Sequence, residues 1–204
     1  MTKRLLSIHI CTLPDRENSF KKLLNELHRQ RDLIPNGKEL IEIVSEDAPR
    51  GTLNIGAKRN KLKKSTTGKY VTYIDDDDMV SQNYLQLMME GCHSGKDIIT
   101  FDMDYYIDGI YNKTWVINRF IGCDWNSKHW AINYNPTHRF TVDRIFYHLC
   151  AVRRELADQV DFIDANNAED VGYSEALIPL IETEFHIEHC MLHIYFDTKK
   201  IQNV

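Results

Sequence analysis

Along the first half of the chain, apolar runs typical of strands alternate with segments whose apolar residues have helical spacing. Four short apolar runs, partly β-branched, predict strands, and the segments between them have helical spacing. The strand-like runs are "RLLSIHICT", "ELIEIVSED", "KYVTYI" and "KDIITFDMDYY". The first helix-like segment has apolar residues at i, i+3, i+4 and i+7, namely Phe20, Leu23, Leu24 and Leu27. Strands that alternate with helices favour parallel pairing and an α/β fold with helices covering the sheet.

The second half of the chain predicts a different arrangement. Two alternating runs flank Asp108 and Gly109, and an Asp-Gly pair in this position is typical of a two-residue hairpin turn. A helical pattern over residues 168–184 contains Pro179, which should kink it. Ser81 is suited to cap the helix that precedes the fourth strand. The last run, "FHIEHCMLHIYFD", predicts a strand with one shared face of Ile187, His189, Met191, His193 and Tyr195.

Composition narrows the class of protein. With 204 residues, 43% hydrophobic and 27% charged, the chain suits one globular domain with its own core. The net charge of -5 provides no general basic field, so composition does not favour long duplex DNA as a partner, although a local basic patch would change this. Five scattered cysteines indicate reduced thiols, and no apolar run suggests a membrane span or signal peptide, so we expect a cytoplasmic protein.

Four consecutive aspartates, Asp75 to Asp78, directly follow the third predicted strand. Adjacent carboxylates raise each other's pKa unless a cation, amide donors or water offsets the repulsion. One aspartate suits a helix cap and one a solvated turn, which leaves two without a structural role. In an extended segment Asp75 and Asp77 project to one side, and Asp76 and Asp78 to the other. The run therefore predicts a bound partner, with one aspartate pair gripping a metal ion and a ribose.

Further polar residues lie at the other predicted strand ends. The first strand ends at Thr12, Asp15 and Arg16, and the second at Glu46 and Asp47. Ligands of open parallel sheets bind beyond the carboxyl ends of the strands. Acidic groups from several strand ends suit a hard cation, Mg²⁺ or Mn²⁺, bound together with a phosphorylated ligand.

In this order, the motifs resemble the inverting family 2 glycosyltransferases of the GT-A fold. The motifs concerned are "LLSIHICTLPDR", "IEIVSED", "GAKRN", "TTGKYVTYIDDDDMVSQNYL" and "AED". The resemblance extends from about residue 4 to residue 196, and is loose over residues 105–140. It implies a nucleotide-diphospho-sugar transferase fold, with a mostly parallel central sheet and a small antiparallel acceptor-side element. It also implies one domain over residues 1–204, divided into a nucleotide-sugar-binding half (1–98) and an acceptor-side half with the catalytic base (99–204).

The resemblance assigns roles to individual residues. The implied donor-binding residues are Thr12, Arg16, Glu46, Asp47, Lys58, Arg59, Asn60, Asp75 and Asp76. Asp75 would approach the ribose, and Asp77, with Asp75, would hold Mn²⁺ or Mg²⁺. His189 and His193 are further candidate metal ligands, because some GT-A enzymes use a C-terminal histidine, although a histidine on a half-buried strand more often has a packed, hydrogen-bonded role. The remaining lysines of the "GAKRN" helix fit a solvated face: Lys61, Lys63 and Lys64.

The "AED" motif supplies the catalytic candidates. Inverting transfer requires a base that takes a proton from the acceptor hydroxyl, and Asp170 matches the base of the family. Glu169 would orient this base or the acceptor. The alternative is that both are first-turn acids with a purely helical role.

The acceptor stays open between a saccharide or glycoconjugate and a hydroxymethylated pyrimidine in DNA. The DNA alternative arises because "HLCAVRRELADQVDF" resembles small phage-encoded members of the family, which would place the protein in the host cytoplasm. Arginines that would supply a phosphate-binding patch are Arg139, Arg144, Arg153 and Arg154. Aromatic residues that would form an acceptor platform, or else part of the core, are Trp125, Trp130, Tyr134 and His138.

Three functional hypotheses remain. The first is a metal-dependent inverting glycosyltransferase with a nucleotide-sugar donor of the uridine type. The second is a phosphohydrolase, because Asp76, Asp78 and Val80 satisfy an Asp-x-Asp-x-Val nucleophile pattern, although that pattern normally follows a first strand. The third is a non-catalytic protein of the same fold that binds a nucleotide or glycan.

Overall fold

A ten-stranded mixed sheet organises the computed structural model, which describes residues 4–119, 131–133 and 140–196. Its strands are β1 (Leu6–Cys11), β2 (Ile41–Glu46), β3 (Tyr70–Asp75), β4 (Met79–Val80), β5 (Ile98–Ile107), β6 (Ile110–Arg119), β7 (Ala131–Asn133), β8 (Phe140–Ile145), β9 (Ala151–Arg153) and β10 (Glu184–Phe196). The α-helices are α1 (Glu17–Leu33), α2 (Gly37–Leu40), α3 (Ile55–Ser65), α4 (Tyr84–His93), α5 (Arg154–Ala157) and α6 (Glu169–Leu177). Short 3₁₀ turns occupy Pro14–Arg16 and Ile178–Leu180.

The strands that lead to the predicted site run in one direction. β1 lies between β2 and β3, and both pairings are parallel. β9 is antiparallel to β3 and to β5, so β5 has the same direction as β3, and β10 is parallel to β5. The prediction of an α/β fold with a mostly parallel central sheet is confirmed. The insertion of β9 between β3 and β5 is a long-range pairing that the local apolar pattern does not predict.

Both faces of the central strands are buried, as expected for parallel strands covered by helices. On β3, Tyr70 and Ile74 belong to the apolar cluster that includes residues of β1, α1 and α4. Val71 and Tyr73 point to a second cluster, which includes Phe162 and residues of α6. This burial fixes the end of β3, and with it the start of the acidic run.

The predicted hairpin is confirmed. Asp108 and Gly109 connect β5 to β6, with φ angles of 50° and 78°. These left-handed values are those of a type I′ turn, which is the turn that an Asp-Gly pair favours. Ile107 and Ile110 face each other across it.

Three local predictions are wrong. Ser81 does not cap α4, because the helix begins at Tyr84 and the Ser81 hydroxyl donates to the Asn83 side chain instead. Pro179 does not kink a long helix, because α6 ends before it and Pro179 lies in the 3₁₀ turn. The last strand does not keep strict alternation, because β10 has register shifts on both sides of Cys190.

Some predictions lie outside the described residues. The proposed aromatic platform, Trp125, Trp130, Tyr134 and His138, falls there, as does Arg139. Within residues 4–119, 131–133 and 140–196, no helix has the length and apolar character needed to cross a membrane.

Candidate functional site

A cleft of about 1070 Å³ opens where β1 and β3 end. Its lining includes Arg16, Asp77, Asp78, Met79 and Tyr195. The predicted donor-binding residues at the ends of β1 and β3 therefore meet at one edge of the sheet, as the rule for open parallel sheets requires.

The chain turns after Asp75, so the predicted extended alternation of the four aspartates is wrong. The Asp78 amide donates to the Asp75 carbonyl at 3.1 Å, which closes the turn. Exposure nevertheless divides the run in the expected way. The side chains of Asp75 and Asp77 are 36% and 25% exposed, whereas Asp76 and Asp78 are 1% and 4% exposed. One aspartate pair is thus partly exposed, and of this pair Asp77 lines the cleft.

The protein itself stabilises the two buried aspartates. Asp76 accepts hydrogen bonds from the Thr12 hydroxyl at 2.8 Å and from the Arg16 guanidinium at 2.7 Å. Burial, together with the neighbouring Asp75 and Asp77, raises the pKa of Asp78 well above its usual range, and its carboxyl group accepts the Tyr195 amide at 3.2 Å. A protonated Asp78 reduces the repulsion within the run.

Arg59 of α3 connects the donor side to the acceptor side. Its buried guanidinium donates to Glu169, and to Asp75 at 3.2 Å. The Phe162 ring lies 5.3 Å from the guanidinium carbon. A buried cation needs such partners, because desolvation is costly unless carboxylates compensate for it.

His148 is the site residue that sequence reasoning missed. Its buried ring lies against Arg59, with Nε2 2.9 Å from the guanidinium and 3.6 Å from the Asp75 carboxylate. Nδ1 lies 3.7 Å from the Asp170 carboxylate. Burial and the Arg59 charge lower the pKa of His148, while the Asp75 carboxylate acts to raise it. A lone histidine before β9 carries no motif, and its position depends on the β3–β9 pairing.

The Asp75 carboxylate stays ionised in this environment. Burial acts to raise its pKa, but His148 and the Arg59 guanidinium outweigh that effect and lower it. Asp75 is therefore charged at neutral pH, and partly exposed. Those are the properties required of an oxygen ligand for a hard cation.

Glu169 and Asp170 begin α6, as predicted, but their environments differ. Glu169 is buried against Arg59, whereas the Asp170 side chain is 24% exposed. Glu169 is thus held in an ion pair, and Asp170 retains access to solvent. This difference separates a positioning acid from a candidate base.

The loop before α6 is anchored to the start of α3. The Asn54 side chain donates to Asp164 at 3.1 Å, and the Ile55 amide donates to Asn166 at 3.2 Å. The Gly56 amide donates to the Ala165 carbonyl at 3.2 Å. A side chain at Gly56 would place its Cβ 1.9 Å from the Ile163 carbonyl oxygen. The glycine of the "GAKRN" motif therefore permits this close approach.

We expect Gly56→Ala to cost about 1–3 kcal/mol in the free energy of unfolding, because backbone atoms cannot avoid the new Cβ. Displacement of the loop should also lower any turnover that depends on Asp170. Gly172→Ala in α6 is the matched control, since nothing lies within 4 Å of its added Cβ. Urea denaturation of both variants measures the difference. Equal stability of the two would contradict the packing argument.

Several other predicted donor residues bond to the protein. Lys58 donates to the Thr12 carbonyl at 3.0 Å, and the Asn60 amide donates to the Phe162 carbonyl at 2.8 Å. Glu46 pairs with Lys61. Asp47 is exposed. Direct donor contacts for these residues stay predictions.

The expectation of a solvated lysine face is wrong for Lys63. Its side chain is buried, and it donates to the Ala157 carbonyl at 2.8 Å. A 3.0 Å ion pair with Asp161 compensates its charge. Lys61 and Lys64 are exposed, as expected.

The histidines of β10 differ from each other. His189 is exposed, whereas His193 lies 3.7 Å from Asp104 and 3.9 Å from Cys190. Within the described parts of the chain, this trio is the one group of three His, Cys, Asp or Glu side chains whose ligand atoms lie within 4.8 Å of one another. Asp77 therefore has no preassembled trio with either histidine there.

The arginines at the end of β9 and the start of α5 are bound within the fold. Arg153 pairs with Asp97 at 2.9 Å. Arg154 donates to Thr66 at 2.9 Å and to Ser7 at 3.2 Å. These two residues therefore add little to a phosphate-binding patch.

Comparison with known families decides the classification. The model of the family described as glycosyl transferase family 2 matches residues 38–161, which is more than half of the chain. The chain belongs to glycosyl transferase family 2. This confirms the family resemblance. The matched span of this family 2 chain includes Asp75 to Asp78 and ends before Glu169.

Solved structures share the fold of this family 2 chain. S. aureus TarS 1-349 in complex with UDP-GlcNAc has a TM-score of 0.63 at 14% identity, covering 94% of this chain and 58% of that chain. The complex of TarS 1-349 with UDP has a TM-score of 0.63 at 13% identity, covering 98% and 62% respectively. The chain thus spans about three fifths of the length of these proteins. No curated protein sequence matches it.

Proposed function

We propose that this family 2 chain transfers a sugar from a UDP-sugar to an acceptor hydroxyl, with inversion at the anomeric carbon. The main supporting observation is the division of the acids in the site. Asp75, Asp77 and Asp170 are partly exposed, whereas Asp76 and Glu169 are buried in bonds with arginines. His148 lies between Asp75 and Asp170, so the donor side and the candidate base belong to one network.

Asp170 is the base in this proposal. Its carboxylate takes the proton of the acceptor hydroxyl as that oxygen attacks the anomeric carbon, opposite the departing nucleoside diphosphate. It lies in the first turn of α6, at the positively polarised end of the helix. Glu169 does not compete for this role, because Arg59 holds it. Glu169 and Arg59 position the start of α6 relative to β3.

The exposed aspartate pair suits a hard divalent cation. Asp75 and Asp77 offer partly exposed carboxylate oxygens, and Mg²⁺ or Mn²⁺ typically uses few protein carboxylates together with substrate phosphates. Bound there, the cation would supply the charge that stabilises the departing diphosphate. The family-based role of His193 and His189 in this cation site stays a prediction, and for His193 it competes with the grouping with Asp104 and Cys190.

The uridine nucleotide is supported by the comparison structures. TarS shares the fold of this chain and was solved with UDP-GlcNAc and with UDP. For the acceptor, a saccharide or glycoconjugate and a hydroxymethylated pyrimidine in DNA both remain candidates. Arg153 and Arg154 are bonded to other residues of the fold, so they contribute little to binding DNA phosphates. The saccharide class is therefore the better supported one.

The buried state of Asp76 argues against a phosphohydrolase. That hypothesis needs Asp76 as an accessible nucleophile, but its carboxylate is 1% exposed and accepts bonds from Thr12 and Arg16. Family membership also favours glycosyl transfer.

The donor site is tested by thermal stabilisation with UDP, GDP, CDP and ADP, each with and without Mn²⁺. Ligand at about 100 times its Kd should raise the melting temperature of the native protein by about 5–10 °C. We expect this shift for UDP with Mn²⁺. Asp77→Ala should abolish the Mn²⁺-dependent part, while Asp32→Ala, on the exposed surface of α1, keeps it. A shift that is unchanged in Asp77→Ala would contradict the proposed role of Asp77.

A further inference from the structure

One face of the β5–β10 pair carries a row of polar and aromatic side chains. Facing pairs in the register are Thr100 with His186, Asp102 with Cys190, Asp104 with His193, and Tyr106 with Tyr195. The opposite face pairs Met103 with Leu192, and both are fully buried in the core. The polar row is therefore built by the pairing of two strands.

A bulge brings Cys190 and His193 together. In a regular strand, residues three apart point to opposite faces. Here the register shift after Cys190 inserts one extra residue, so that Cys190 and His193 face Asp102 and Asp104, which lie two apart on β5. Bulges characteristically redirect a side chain in this way, often beside functional sites.

The redirected side chains have the spacing of metal ligands. His193 Nδ1 lies 3.7 Å from Asp104 Oδ2 and 3.9 Å from Cys190 Sγ. Tetrahedral Zn²⁺ with sulfur, nitrogen and oxygen ligands places those atoms about 3.3–3.6 Å apart. Movements of a few tenths of an ångström would close the site. All three residues are half-buried, which restricts access without preventing it.

A second observation concerns the neighbouring residues of the row. Asp102 Oδ1 and His186 Nε2 are buried and 3.4 Å apart, and within the described residues neither atom has a hydrogen-bond partner. The two atoms face each other in a His–Asp contact on the same polar row. Asp102 lies directly opposite Cys190 in the register, and His186 lies opposite Thr100, so two further residues of metal-binding type flank the trio.

We propose that Asp104, Cys190 and His193 bind a Zn²⁺-class cation, with a ligand set that shares no residue with the cation site of Asp75 and Asp77. A thiolate and an imidazole select zinc over magnesium or manganese, and water would occupy the fourth position. The cation would link β10 to β5 near Tyr195, whose amide bonds Asp78 at the cleft. It would therefore stabilise one wall of the cleft.

Cobalt provides the test, because Co²⁺ bound to a thiolate gives a near-ultraviolet charge-transfer band. Titration of the metal-free protein with Co²⁺ should produce this band, and Zn²⁺ should displace the cobalt. Cys190→Ser should abolish the band, and His193→Gln should weaken Zn²⁺ binding on the order of 100-fold, as measured by competition with a chromophoric chelator. His189→Gln is the matched control, because His189 is an exposed histidine of the same strand.

The controls keep the result independent of the proposed function. Asp77→Ala should keep the cobalt band, since that residue belongs to the other cation site. Circular dichroism of metal-free Cys190→Ser should match wild type, which excludes misfolding as the cause of a lost band. Absence of the band in wild-type protein, or its retention in Cys190→Ser, would overturn the zinc site. Neither result depends on whether the protein transfers a sugar.

Discussion

Asp170→Asn is expected to lower sugar transfer about 10²–10⁴-fold, because the asparagine cannot take the proton of the acceptor hydroxyl. Donor binding should change little. Asp170 lies at the start of α6, and its substitution leaves in place the contacts of Arg59 with Glu169 and Asp75. The measurement combines turnover, with the configuration of the product determined by NMR, and the melting-temperature shift with UDP and Mn²⁺. A β-configured product from an α-configured donor would establish inversion.

Asp158→Asn is the control for this experiment, because it makes the same chemical change at an exposed carboxylate near α5. It should retain wild-type turnover. If Asp170→Asn also retains more than about a tenth of the turnover, the base is another group. If the wild type binds UDP but transfers no sugar to any acceptor class, the non-catalytic hypothesis replaces the enzyme.

Arg59→Ala is expected to lower the free energy of unfolding by about 3–5 kcal/mol. The substitution leaves Glu169 buried without its cation and removes one partner of Asp75. It also removes packing against the Phe162 ring. Urea denaturation at pH 7 measures the loss.

A second variant separates charge from packing. Adding Glu169→Gln to Arg59→Ala removes the uncompensated carboxylate, so the double variant should be more stable than Arg59→Ala alone. Exposed Arg29, which pairs with Glu26 on α1, provides the control, and Arg29→Ala should cost less than about 1 kcal/mol. If Arg59→Ala costs no more than Arg29→Ala, the network does not support the site.

His148 connects the donor side of the site to the candidate base. It is buried and lies between two carboxylates, 3.6 Å from that of Asp75 and 3.7 Å from that of Asp170, so it connects their positions. Arg59 and His148 are far apart in sequence, and they meet because β9 inserts beside β3. The donor-binding and base motifs therefore do not include His148, although its ring lies beside a residue of each, Asp75 and Asp170.

The position of the acidic run follows from local pattern, whereas the stabilisation of its carboxyl groups depends on tertiary structure. Its position after a buried strand follows from the sequence, because a period-2 apolar run that ends in charge is a local signal. How the four carboxyl groups are tolerated depends on residues from elsewhere: Thr12 and Arg16 for Asp76, Arg16 also for Asp77, Arg59 and His148 for Asp75, and Tyr195 for Asp78. The cation expected beside the run is thus one of several compensations.

The sequence by itself determined the alternation of strands and helices, the hairpin at Asp108 and Gly109, the acids at the end of β3 and the pair of acids that begins α6. These features are recorded in short-range periodicity and in turn chemistry. Only the tertiary structure decided that β9 pairs with β3, that Lys63 is buried, and that a bulge places Cys190 beside His193. Each of these depends on contacts between distant segments, and a local pattern does not encode which distant segment it will meet.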